Sequence, residues 1–166
     1  MTAIQELVNR NAAHSGTGPG PLVGRPSLRI ALVICMDARI DPAQLLGLRP
    51  GEAHVIRNAG GVVTDDVIRS LAVSQRKLGT TEVMLVHHTQ CGMATFTDEE
   101  FWSELQDSTG LRPTWAVETF RDAASAVRQS VERVQRSPFL GDTTAVRGFV
   151  VDVDTGDLAE VLLPQP

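Results

Sequence analysis

The stretch LRIALVICMDAR, residues 28–39, decides the predicted fold of this chain. Its first part, Leu28–Ile34, is an apolar run rich in β-branched residues, which is typical of a strand buried on both faces of a parallel sheet. Cys35 follows this predicted strand directly, and Asp37 and Arg39 come next. Polar and metal-binding side chains therefore stand at the carboxyl end of a buried strand, where ligands bind in sheets of this kind.

Strands and helices alternate along the rest of the chain. Further strands are predicted at Ala53–Arg57 and Glu82–His87, and Val146–Val153 with Leu158–Leu163 predicts a hairpin. Helices are predicted at residues 2–13, 42–46, 65–78, 98–106 and 118–136. The predicted fold is α/β: a mostly parallel central sheet with an antiparallel C-terminal edge and helices on both faces.

Length and composition limit the possible classes of protein. The 166 residues predict one domain, 1–166, in which 1–27 form an N-terminal helix and a connector. An apolar fraction of 42% argues against disorder, and a net charge of −5 without a basic run argues against nucleic-acid binding. The longest apolar stretch, Ile30–Met36, is too short for a membrane helix, and no signal pattern opens the chain. We expect a cytoplasmic protein without a membrane partner.

The only two cysteines, Cys35 and Cys91, each follow a predicted strand. Taken alone they are either buried apolar side chains or a redox pair. His88 lies three residues before Cys91, so both can bind one metal ion from a tight turn, and Cys35 on a neighbouring strand end would complete a Cys₂His set. Such a set suits Zn²⁺ and leaves a fourth position open, as in catalytic sites.

Asp37 and Arg39 stand two residues apart, so in extended backbone both side chains point the same way and can pair. Pairing would keep Asp37 ionised and able only to accept a hydrogen bond, for example from a nearby zinc-bound hydroxide. The alternative is an ordinary surface salt bridge in a turn.

Three motifs resemble the β-class carbonic anhydrases, and the compact prokaryotic branch in particular. They are C-M-D-A-R at residues 35–39, H-V-I-R-N-A-G-G at 54–61 and H-H-T-Q-C-G-M at 87–93. The resemblance runs from about Leu28 through Leu78 to Met93, and the stretch T-D-D-V-I-R-S-L at 64–71 is shared with the compact branch. Weaker similarity reaches R-G-F-V-V-D-V-D-T-G at 147–156, so the resemblance covers most of the chain.

The resemblance implies a role for each matching residue. Cys35, His88 and Cys91 become the ligands of Zn²⁺, and Asp37 and Arg39 the catalytic dyad that orients a zinc-bound hydroxide. In some family members the aspartate leaves its arginine and binds the zinc, so Asp37 is also a conditional fourth ligand. Two glycines, Gly60 and Gly92, match positions where the backbone comes close to the metal and substrate; the alternative for both is turn geometry.

The implied activity is the reversible hydration of carbon dioxide to bicarbonate and a proton. Relatives with the same ligands hydrolyse carbonyl sulfide or carbon disulfide, which is the alternative activity. A binding or scaffold protein without turnover would lack a ligand or a dyad residue, and none is missing here. The family also implies a homodimer or homotetramer. The apolar positions Ile4, Leu7 and Val8 of the first helix would suit packing on a neighbouring copy; the alternative is packing on their own domain.

A few residues and segments fall outside these assignments. We interpret His87, which alternates with His88 along its strand, as structural. Gln90 matches no ligand position, and His54 is a candidate for proton exit. The segment 57–61 before a helix could cradle a phosphate, but it contains neither G-x-G-x-x-G nor a P-loop lysine.

Overall fold

The computed structural model describes residues 2–141 and 145–163, so Met1, 142–144 and 164–166 of the predicted 1–166 domain lie outside the described residues. The strands are β1 Ile30–Cys35, β2 Ala53–Asn58, β3 Glu82–His88, β4 Val146–Val151 and β5 Leu158–Glu160. The helices are α1 Ala3–Ala13, α2 Pro42–Leu46, α3 Asp65–Leu78, α4 Asp98–Thr109 and α5 Ala123–Gln135. None of the described helices is long and apolar enough to cross a membrane.

The five strands form one sheet in the order β2-β1-β3-β4-β5. The first four are parallel, and β5 pairs antiparallel with β4. This arrangement confirms the predicted α/β fold with an antiparallel C-terminal edge. Strands β2 and β3 lie on opposite sides of β1, so the strand order reverses beside the carboxyl end of β1. A crevice at such a reversal is where parallel sheets bind ligands.

Side-chain hydrogen bonds fix the helix starts. The carboxylate of Asp41 accepts from the backbone N–H of Ala43 at the start of α2, and the hydroxyl of Thr64 accepts from the N–H of Val67 at the start of α3. Gly79, in the left-handed conformation, ends α3 as predicted. Each of these helix ends depends only on residues that are close together in the sequence.

Three predicted boundaries were wrong. Strand β4 ends at Val151, earlier than expected, because the Asp152 carboxylate accepts from the N–H groups of Asp154 and Thr155 and turns the chain. Strand β5 ends at Glu160 instead of Leu163. Helix α5 starts at Ala123 instead of Glu118, since Asp122 caps its first turn and Glu118 adopts a left-handed φ of 64°. Phe120, which lies within the predicted helix 118–136, therefore precedes the observed helix.

The other differences are small. Strand β1 starts two residues later than expected, because Arg29 has a left-handed φ of 56°, and it ends one residue later, at Cys35. Strands β2 and β3 each gain one residue, and α4 continues to Thr109, where Gly110 ends it. Helix α1 spans the predicted segment almost exactly as expected, from Ala3 to Ala13.

The two faces of the sheet are covered unequally. Helices α3 and α5 pack on one face and enclose a core that includes Val33, Leu71 and Val127. Gly148 lets α5 approach β4, since a Cβ there would lie 2.2 Å from Val127 Cγ1. The other face carries a smaller cluster around Leu32 and Ile34, together with side chains from α2 and nearby loops.

Helices α1 and α4 contain no buried residue, so the predicted apolar side of α1 stays exposed.

We expect Leu71→Ala to lower the free energy of unfolding by about 2–5 kcal/mol, because the side chain is fully buried and its loss leaves a cavity. Leu162→Ala is the matched control: this leucine is 77% exposed, so the same truncation should change stability by less than about 0.5 kcal/mol. Urea denaturation of both variants measures the difference. Equal effects would contradict the assignment of Leu71 to the core.

Candidate metal centre

Three metal-binding side chains meet at the carboxyl edge of the sheet. Cys35 ends β1, His88 ends the neighbouring strand β3, and Cys91 follows three residues later. All three are buried, and their ligand atoms lie within 4.8 Å of one another. The two Sγ atoms are 4.0 Å apart. The structure thus brings together the set that the sequence analysis named, and this group could hold a metal ion.

The imidazole of His88 has one ring nitrogen available to bind a cation. Its Nδ1 lies 2.8 Å from the carbonyl oxygen of Thr89, and a carbonyl can only accept, so Nδ1 carries the proton. The other ring nitrogen, Nε2, therefore presents a lone pair. That atom is buried and has no hydrogen-bond partner among the described residues. A buried polar atom without a partner is unfavourable, and a metal ion would satisfy it.

The thiols of Cys35 and Cys91 share a hydrogen bond and differ in pKa. The hydrogen bond from the Cys91 thiol lowers the pKa of Cys35 to about 4. The same bond, together with burial, raises the pKa of Cys91, because that thiol has to keep the shared proton. A bound divalent cation would replace this proton, since metals bind cysteine as the thiolate.

Asp37 and Arg39 form a two-point ion pair beside the three ligands. Arg39 Nε lies 3.0 Å from Asp37 Oδ1, and Arg39 Nη2 lies 2.7 Å from Asp37 Oδ2. The backbone N–H of Arg39 also donates to Oδ1. These bonds hold the pKa of Asp37 well below its usual range. Because Asp37 Oδ2 lies 3.8 Å from His88 Nε2, an ionised carboxylate faces the unpartnered nitrogen.

Arg57 supports the loop between Cys35 and Asp37, a role that the sequence analysis did not identify. Its Nε donates to the carbonyl oxygen of Cys35 at 3.1 Å, and its Nη2 donates to that of Asp37 at 2.8 Å. The planar guanidinium thus grips two carbonyls of the segment that carries both a ligand and the dyad. No local pattern could reveal this contact, because it joins β2 to the end of β1.

The glycines near the centre differ from one another. Gly60 is buried with φ +80°, and a Cβ there would lie 3.0 Å from Phe120 Cε1. Gly61, to which the sequence analysis gave no role, packs against β1: a Cβ there would lie 2.8 Å from the backbone nitrogen of Cys35. Gly92 has open space around its Cα. The requirement for glycine is therefore steric at Gly61.

Two further histidines of the strands, His87 and His54, lie apart from the ligand set. His87 is fully buried against the ring of Phe120, at 5.3 Å between centroids, and burial lowers its pKa to about 4. His54 pairs in register with Ala31, far from the end of β1 at Cys35. Its ring nitrogens contact Ser74 Oγ and the Gly24 carbonyl oxygen. The structure thus keeps His54, the candidate for proton exit, away from the centre.

An open cleft of about 530 Å³ leads to the ligand set. Cys35, Asp37 and Cys91 lie at its base. Its walls are largely apolar and include Met36, Ala38, Met93 and Phe96. The cleft therefore suits a small, weakly polar molecule that approaches the carboxylate and the thiols together.

Comparisons with known proteins agree with this geometry. Residues 30–158 match the sequence pattern of the carbonic anhydrase family. The chain is 55% identical over 161 residues to beta-carbonic anhydrase 1 of Mycobacterium tuberculosis, covering 97% of this chain and 99% of that protein. It is 30% identical to a carbon disulfide hydrolase of Acidithiobacillus thiooxidans, over 95% of this chain and 90% of that protein.

A solved structure agrees with the sequence comparisons. The crystal structure of carbonic anhydrase from Streptococcus mutans superposes with a TM-score of 0.90 at 39% identity, over 98% of this chain and 99% of that one. Fold, motif residues and overall sequence all point the same way, and they confirm the resemblance seen in the three motifs. The chain belongs to the carbonic anhydrase family, and its similarity to the mycobacterial protein places it in the β class.

Proposed function

We propose that this protein catalyses the reversible hydration of carbon dioxide to bicarbonate and a proton, with Zn²⁺ held by Cys35, His88 and Cys91. The observation that carries the proposal is the unpartnered His88 Nε2, buried with two thiols and faced by the Asp37 carboxylate. Two sulfurs and one imidazole nitrogen suit zinc, and three protein ligands leave a position for substrate chemistry. When bound there, zinc lowers the pKa of a coordinated water, which supplies the nucleophile near neutral pH.

Asp37 and Arg39 would set the direction of attack. Because Arg39 keeps Asp37 ionised, the carboxylate can only accept a hydrogen bond from the attacking oxygen. With that hydrogen directed to Asp37, the oxygen would keep a lone pair free to attack the substrate. Orientation of this kind contributes strongly to rate when the reactants are small. Asp37, paired with Arg39 in the structure, stays a proposed conditional fourth ligand.

The cleft would bring carbon dioxide to that lone pair. Carbon dioxide is small and has no net dipole, and the walls around Met36, Met93 and Phe96 are apolar. Gly60 and Gly92 both line the same cleft, and we retain them as the proposed substrate-adjacent backbone.

Carbon disulfide or carbonyl sulfide hydrolysis is a second candidate activity. The similarity to a carbon disulfide hydrolase over almost the whole chain favours it, and apolar walls accept either substrate. Rates on carbon dioxide and on carbon disulfide, measured side by side with the same zinc-loaded sample, decide between the two. A higher kcat/KM on carbon disulfide would reject the hydratase as the main activity.

We also propose that the protein works in the cytoplasm as a homodimer, alone or as a pair of dimers. A reducing compartment would keep the Cys35 and Cys91 thiols free for the metal. On α1, Ile4, Leu7 and Val8 are all more than half exposed, and the helix contains no buried residue. An open apolar groove of about 630 Å³ between α3 and Phe139 offers a complementary surface on a second copy.

For the metal, we expect about one zinc ion per chain in the wild type and less than a tenth of that in Cys35→Ser, His88→Ala and Cys91→Ser after dialysis against a chelator. His14→Ala, which removes an exposed histidine at the end of α1, is the matched control and should keep its zinc. Elemental analysis measures the content. Full zinc in all three site variants would reject the ligand assignment.

For the dyad, we expect Asp37→Asn to keep its zinc and lose about 100-fold in kcat, because an amide can donate as well as accept and no longer fixes the attacking oxygen. Asp107→Asn makes the same charge change on the exposed surface of α4 and should keep wild-type rates. Stopped-flow hydration assays give both values. Wild-type turnover in zinc-loaded Asp37→Asn would show that the pair is only a structural salt bridge.

For the assembly, we expect light scattering to give at least twice the 17.9-kDa chain mass for the wild type and a lower mass for Leu7→Asp. The added charge would lie on the apolar side of α1 and would have to be buried in the contact. Asn9→Asp adds the same charge on the opposite side of the helix and should keep the wild-type mass. A single-chain mass for the wild type, or an unchanged mass for Leu7→Asp, would contradict the proposed contact.

A further inference from the structure

Gln90 lies between the proposed ligands His88 and Cys91, and its backbone is strained. Its φ of 56° is in the left-handed region, which glutamine rarely adopts. Asparagine, aspartate and glycine are more common in this conformation. Glutamine is therefore less favourable than these residues for the backbone conformation at position 90. The contacts of its side chain explain its presence there.

The Gln90 side chain connects the dyad to the turn between β4 and β5. Its Oε1 accepts from Arg39 Nη1 at 3.4 Å, and its backbone oxygen accepts from Arg39 Nη2 at 3.1 Å. Its Nε2 donates to Asp154 Oδ2 at 2.6 Å. The amide thus has its oxygen toward a cation and its nitrogen toward an anion, and the two charges fix its orientation.

The turn that holds Asp154 is itself attached to the ligand loop. Thr89 donates its backbone N–H to the Val151 carbonyl oxygen and accepts the N–H of Val153 on its hydroxyl. The Asp152 carboxylate accepts the N–H of Asp154 and orders the turn. These hydrogen bonds fix the backbone position of Asp154. The Gln90 side chain connects Asp154 to Arg39.

We infer that Gln90 and Asp154 are positioning residues for the proposed hydration reaction, which hold Arg39 in the orientation in which it pairs with Asp37. The hydrogen bonds of Arg39 go to two different residues, Asp37 and Gln90. Arg39 uses Nε and Nη2 for Asp37, and the Gln90 contacts fix the rotation of the guanidinium plane about that pair. The neutral amide also separates Arg39 from the Asp154 carboxylate, which would otherwise compete with Asp37 for the same cation. This inference rests on the proposed function only for its effect on turnover.

The test uses three variants and one control. Gln90→Gly removes the side-chain contacts to Arg39 Nη1 and Asp154, relieves the left-handed strain and keeps the backbone oxygen that accepts from Arg39 Nη2. Asp154→Ala removes the residue to which the amide is anchored, and a double variant removes both. Asp157→Ala is the control, because it removes a carboxylate from the same turn. Among the described residues, this carboxylate accepts a hydrogen bond from Thr155 and makes no hydrogen bond with Gln90 or Arg39.

The first measurement is the exchange of the Arg39 Nε proton with water, followed by NMR in ¹⁵N-labelled zinc-loaded protein and assigned by its absence in Arg39→Lys. We expect exchange to rise about tenfold in Gln90→Gly and in Asp154→Ala, and the double variant to show no further increase, since both act on one contact chain. Asp157→Ala should match the wild type. Wild-type exchange in Gln90→Gly and Asp154→Ala would overturn the inference.

The second measurement is turnover on the same samples. We expect kcat to fall about five- to tenfold in both single variants with zinc content and KM unchanged. The unfolding midpoint of Gln90→Gly should not fall, because glycine suits its φ, so a loss of kcat there is not a loss of stability. Faster Arg39 exchange with wild-type kcat would overturn the positioning role. A wild type without hydratase activity would instead reject the proposed function, while the exchange measurement would still decide whether the bridge holds Arg39.

Discussion

Three electron-pair donors enclosed together at the end of a sheet are the constraint on which the rest of the structure depends. The sulfurs of Cys35 and Cys91 share a proton, and His88 Nε2 has no hydrogen-bond partner among the described residues. Such a group is unfavourable in a protein interior unless a cation joins it. The surrounding fold therefore has to hold the three donors close together although their proximity is unfavourable without a cation. Binding of a cation would then stabilise the folded chain.

Rigid elements hold the donors close together from several directions. The parallel pairing of β1 with β3 sets Cys35 beside the end of the strand that carries His88, and a reversal in strand order leaves that edge open. Arg57 holds the carbonyls of the loop after Cys35 from the β2 side. Gly61 brings another backbone segment within van der Waals contact of the Cys35 nitrogen. Each contact limits the freedom of one ligand, which is the usual function of the residues around a metal site.

Sequence patterns predicted those parts of the molecule that depend on local chemistry. Apolar runs gave the strands, and capping residues such as Asp41 and Thr64 gave the helix starts, because both signals act over a few residues. The ligand trio and the Asp37–Arg39 pair followed from motif spacing and family resemblance. The contacts of Arg57 and Gln90 did not follow, since each joins segments that only the folded sheet brings together. The start of α5 was also wrong, because it depends on a left-handed Glu118 that no propensity indicates.

The unequal covering of the sheet leaves the site open to water. Helices α3 and α5 close one face, while the other face leaves Met36 at 62% exposure at the wall of the cleft. An exposed cleft wall keeps water around the carboxylate of Asp37, and water weakens the electrostatic interactions of the dyad. The contact proposed for the dimer, between α1 of one copy and the groove beside α3 of the other, lies on the side of the sheet that α3 and α5 cover. The dyad would then work in the presence of water, and the two-point pairing with Arg39 is what keeps the Asp37 carboxylate ionised and oriented there.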